Sequence, residues 1–119
     1  MINPIISCFC LCYLMACSTN KNTQSIKEMP SCLDAKIKTM KSAPSKGSPL
    51  SVIQYTYKEQ TVYYMVSPCC DKYNVVYDSV CNVLGYPDGG FTGRGDGKMS
   101  DFYKEVTNKK IIWEKNNQQ

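Results

Sequence analysis

Eight cysteines in 119 residues, with no histidine at all, constrain this chain more than any other feature. Their positions divide it. Cys8, Cys10, Cys12 and Cys17 lie in or just after an apolar run at residues 5–16, and Cys32, Cys69, Cys70 and Cys81 lie in the more polar remainder. A run of about a dozen apolar residues is too short to cross a ~30 Å hydrocarbon core as a helix, but it suits the apolar region of a secretory signal. An exported chain meets an oxidising compartment, where an even number of cysteines reads as a disulfide framework. A bond between the neighbours Cys69 and Cys70 needs a strained peptide. Cys32 is therefore expected to pair with one of these two and Cys81 with the other.

The absence of histidine removes Ser/His and Cys/His catalytic pairs and any histidine-bearing metal site. No Cys-x-x-Cys spacing marks a redox pair. The net charge of +4 comes from thirteen Lys and one Arg with no dense cluster, so no nucleic-acid partner is expected. Mean hydropathy is −0.34, and the length allows one domain.

The apolar run ends in Leu14-Met15-Ala16-Cys17, which is similar to the lipobox of bacterial lipoproteins. The resemblance implies that residues 1–16 are a signal and that Cys17 is diacylated and becomes the new N-terminus. Two acyl chains give stable anchoring where one is marginal. Residues 17–28, rich in Ser, Asn, Thr, Lys and Gln, read as a flexible tether, and residues 29–116 as a single domain.

Within that domain Leu33, Ile37 and Met40 recur at helical spacing, which predicts an amphipathic helix over residues 31–42. Ser31 and Asp34 resemble a capping box at its start. Lys36, Lys38 and Lys41 fall on its solvated face. Residues 50–57 and 61–67 are β-branched and aromatic and predict a hairpin. The second strand is apolar on both faces and should sit centrally. Its tyrosines are expected to pack the sheet with their hydroxyls at the rim. Short strands are expected at 74–78 and 109–115, with a polar connection at 101–107. Six Gly and a Pro within residues 85–97 exclude a regular helix there and read as a tightly turning connection.

The elements Cys69-Cys70-Asp71, Tyr77-Asp78 and Pro87-Asp88-Gly89-Gly90-Phe91-Thr92-Gly93-Arg94-Gly95-Asp96-Gly97 together resemble a family of small lipoproteins of Bacteroidota-type bacteria. That family has a domain of unknown function. The resemblance covers residues 29–116 and implies an envelope lipoprotein without an assigned activity.

The glycine-rich segment lacks the Gly-Lys-Ser/Thr ending of a phosphate-binding loop. Arg94-Gly95-Asp96 reads as a chance tripeptide rather than an adhesion signal. Asp88, Arg94, Asp96 and Asp101 form the candidate binding loop. The carboxylates would serve Ca²⁺, a hard ion wanting six to eight oxygens, and Arg94 would serve protease inhibition. The expected architecture is α+β: a short N-terminal helix on an antiparallel sheet of three to five strands, stapled by disulfides. The expected function is a non-enzymatic envelope lipoprotein without a cofactor. It would be held through Cys17 at the outer membrane, on its periplasmic side, and would bind an envelope protein or glycan.

Overall fold

The computed structural model describes residues 29–43, 47–69 and 71–115. The signal, the tether, Cys17 and Cys70 lie outside the described residues. Helix α1 spans Ser31–Ser42. Strands β1 (Ser51–Tyr57), β2 (Gln60–Val66), β3 (Tyr73–Tyr77), β4 (Val83–Gly89) and β5 (Thr107–Glu114) form one antiparallel sheet in the order β4-β3-β2-β1-β5. A four-residue helix, α2 (Phe102–Glu105), precedes β5. The expected α+β architecture is therefore the one observed.

Strand alternation explains why both sheet faces are covered. Tyr63 and Met65 of β2 face α1 and meet Leu33, Ile37, Val52, Tyr77 and Trp113. Val62 and Tyr64 face the other way and meet Val76, Met99 and Phe102. β2 is the middle strand, as its two apolar faces require. Lys36, Lys38 and Lys41 are exposed, although Lys36 lies 5.6 Å from the Tyr77 ring centre and Lys41 5.3 Å from that of Trp113. No described helix is long and apolar enough to cross a membrane.

The capping box does not form. Pro30 is the N-cap, its carbonyl takes the Leu33 and Asp34 amides at 3.0 and 3.1 Å, and Asp34 pairs with Lys38 at 2.7 Å instead. Between β1 and β2 the turn is only Lys58-Glu59, both at positive φ (47° and 64°), the backbone twist that suits a two-residue hairpin.

Residues 83–89 correct the expected loop: they form β4 despite Gly85, Pro87 and Gly89. β4 is an edge strand, where the missing Pro87 N–H disrupts no ladder. Gly85 makes room for Met99, because a Cβ there would stand 2.7 Å from the Met99 Cγ. The glycine-rich segment then folds back on β4, the Asp96 amide donating to the Tyr86 carbonyl at 3.0 Å. At the opposite edge β5 is irregular in two places, and it exposes Lys109 and Lys110.

The disulfide joins Cys32 to Cys81, with Cα atoms 6.2 Å apart. This corrects both expected pairings with Cys69 or Cys70. Strand register gives the reason. Tyr77 and Val83 lie at one end of the sheet with Tyr57, and α1 begins over that end. The turn after Tyr77 carries Cys81 and is built on Asp78, which accepts the Val80 and Asn82 amides at 3.0 and 2.8 Å. Cys69 follows β2 at the far end, beside Ser51, Tyr73 and Gly89, out of reach of Cys32.

Candidate functional site

The sheet face opposite α1 is an aromatic bed centred on Phe102, which is fully buried. The rings of Tyr55, Tyr57, Tyr64 and Tyr103 have their centres 5.6, 5.5, 5.7 and 5.3 Å from that of Phe102. Tyr55 and Tyr57 come from β1 and Tyr64 from β2, all on the same face. Tyr103 follows Phe102 in α2.

Asp88 closes over the rim of this bed. The Tyr64 hydroxyl donates to it, lying 3.0 and 2.9 Å from its two oxygens. The Tyr103 hydroxyl also donates, and so does Asn74 Nδ2 at 3.0 Å. The Tyr64 and Tyr103 hydroxyls share a further contact at 3.0 Å. Asn74 is itself fixed by the Ser67 amide, which donates to its Oδ1 at 2.7 Å. Burial is the first cause that raises the Tyr64 hydroxyl far above its usual pKa, with Tyr103 and Asp88 adding to it. Burial and the bond to Asp88 push Tyr103 up to about 12.

Asp101 stands at another corner of the bed. Lys58 pairs with it at 2.9 Å and the Tyr57 hydroxyl donates to it at 2.8 Å. Lys58 first and Tyr57 second hold the Asp101 carboxyl below its ordinary value. Asp96 plays a local part: its Oδ1 accepts the Lys98 amide at 3.0 Å and shapes a turn. Arg94 is exposed on the loop beyond.

The four candidate loop residues are thus not brought together as one ligand set. Asp88 and Asp101 are acceptors for tyrosines of the sheet, Asp96 caps a turn, and Arg94 projects. Among the described residues no group of three or more His, Cys, Asp or Glu has metal-binding geometry. Tyr64, Tyr103 and Asn74 carry the features of the site that sequence reasoning missed. Only the alternation of β2 signalled one of them, by placing Tyr64 on a face opposite Tyr63.

The raised Tyr64 pKa has a measurable consequence. An unfolded tyrosine ionises near pH 10, whereas folded Tyr64 stays neutral. Its contribution to stability is fully present below pH 10 and is lost as pH rises toward the folded value, at about 1.4 kcal/mol per pH unit for one such group. Urea midpoints are expected to hold to about pH 10 and then fall, and Tyr64→Phe should make that alkaline decline shallower, with Tyr103 and the other buried tyrosines supplying the rest. An equally steep decline in the variant would remove Tyr64 as its source.

A family model described as Domain of unknown function (DUF6970) matches residues 38–115. No curated protein and no solved structure matches the chain. The match runs from within α1 to the end of β5, taking in the whole sheet, the tyrosine bed and the glycine-rich segment. On that extent, well over half its length, the chain belongs to the DUF6970 family.

Proposed function

We propose that this protein is a non-enzymatic lipoprotein of a bacterial cell envelope, anchored through Cys17, whose small domain serves a binding or structural role at the membrane. The carrying observation is the apolar run at residues 5–16 ending in Leu14-Met15-Ala16-Cys17. The outer membrane, on its periplasmic side, is the compartment this reading favours. The Cys32–Cys81 disulfide suits it, because such bonds persist in oxidising compartments and are rare in the cytosol.

The non-enzymatic part rests on how the polar groups are used. Asp88 and Asp101 have their oxygens taken up by tyrosine, asparagine and lysine donors. Carboxylates committed in this way make poor general bases. They also make poor Ca²⁺ ligands, which must offer free oxygens. That weakens the ion-binding alternative more than the inhibitor-like one, which depends on Arg94 alone.

The test is Cys17→Ser in the full chain, expressed in an envelope-bearing bacterium. Wild-type protein is expected in the membrane fraction and the variant in the soluble fraction. Mass spectrometry of the wild type should find two acyl chains on an N-terminal Cys17. An unmodified N-terminus at any other residue would overturn the reading.

A further inference from the structure

We propose that the Phe91 tip of the glycine-rich segment is a second, weak membrane contact that inserts into the bilayer holding the anchored chain. This rests on the lipid-anchor reading.

Phe91 is 94% exposed, the most exposed of the large apolar side chains among the described residues. Its loop is turned on itself. The Gly93 amide donates to the Gly90 carbonyl at 3.2 Å, the Gly95 amide to Gly89 at 3.2 Å, and the Gly90 amide to Lys72 at 3.2 Å. The Arg94 amide reaches Thr92 Oγ1 at 3.4 Å. Gly95, at φ +67°, has no room for a Cβ against the Tyr86 carbonyl, so the base of the loop lies flush on β4. The amides on either side of the tip are thus bonded within the protein, which limits the backbone that meets lipid, where it finds no partner, to the short span at Phe91 and Thr92. Arg94 is exposed three residues beyond Phe91, and no described carboxylate forms an ion pair with it. An aromatic ring beside a long cationic side chain is the pairing found at membrane interfaces, the ring below and the charge at the phosphates.

Footprint favours lipid over a protein partner. A stable protein interface buries about 800 Å² on each side. The tip offers one apolar side chain between Gly90 and Thr92. A bilayer needs no complementary surface to accept it. Reach also permits the contact. The described chain begins at the Cys81 end of the sheet, and Phe91 leaves from the other end, after β4. Seven strand residues separate the two ends by about 23 Å. The twelve links from residue 17 to residue 29 can extend to at most about 40 Å. Tethering raises the effective concentration of the tip at the membrane, so a single ring suffices where it would not bind from solution.

The test uses the full lipidated chain in phosphatidylethanolamine/phosphatidylglycerol vesicles, with and without brominated acyl chains. Trp113 is buried against α1 and supplies a constant background. Phe91→Trp should add emission that brominated lipid quenches roughly twofold, as expected for a ring lying 5–10 Å into the acyl boundary, while wild type is unaffected. Added emission quenched by aqueous acrylamide and not by brominated lipid would overturn the proposal. Vesicle flotation of the same samples separates the two readings. Floating protein with an unquenched tip defeats this inference alone, and protein that fails to float defeats the anchor and this inference with it.

Discussion

Replacing Phe102 with alanine is expected to destabilise the domain by about 3–5 kcal/mol, the usual cost of truncating a fully buried phenylalanine. Phe102 has no exposed surface and touches aromatic rings from β1, β2 and α2. Its loss removes the apolar transfer term and leaves a hole that Tyr57, Tyr64 and Tyr103 cannot close without giving up their bonds to Asp88 and Asp101. A domain of this size holds roughly 4–13 kcal/mol in total, so the variant should sit close to unfolding at 37 °C. Phe102→Leu, which keeps most of the volume, should lose about half as much. Urea titration at neutral pH reads both values. A loss under about 1 kcal/mol for the alanine variant would mean that this face is not a core.

Removal of the Cys32–Cys81 bond should be of similar size. The bond closes a loop with a sequence separation of 49 residues. Chain-entropy reasoning assigns such a loop about 4 kcal/mol, which in a domain of this length is a fall in Tm of roughly 15–30 °C. Cys32→Ser, Cys81→Ser and the double variant should melt together, because either replacement opens the same loop. Reductant should bring wild type down to meet them. A Tm in the double variant within a few degrees of wild type would show that the staple adds little.

Much of this fold was legible because its strong signals are periodic. The stripe Leu33, Ile37, Met40 located α1, and the two apolar faces of β2 put that strand in the middle. β4 was not legible. Gly85, Pro87 and Gly89 argue against a strand, and their acceptance depends on the edge position and on Met99 filling the space above Gly85. α2 escaped because four residues show no period. The disulfide pairing depends on which end of the sheet α1 starts over, and local sequence does not carry that direction. The candidate site was half legible. Its aspartates were picked out as loop residues, yet Asp88 and Asp101 serve tyrosines 24 and 44 positions earlier. No local spacing rule connects residues that far apart. The tyrosine rings were expected to pack, and Tyr63, Tyr64 and Tyr77 are buried. What spacing hid was that the hydroxyl of Tyr64 holds the glycine-rich segment in place.

The disulfide also has a mechanical consequence. It encloses α1, β1, β2 and β3 in a covalent ring, leaving β4, α2 and β5 outside. A force pulling on the two ends of the chain runs from Cys32 directly to Cys81 and never stretches what lies between. About 170 Å of potential extension is locked away, at roughly 3.5 Å per residue. The outer half can be peeled and can reform while the ring keeps its length. A machine that threads chains in single file would meet a doubled strand at Cys81, and passage through a narrow pore requires that the bond be reduced first.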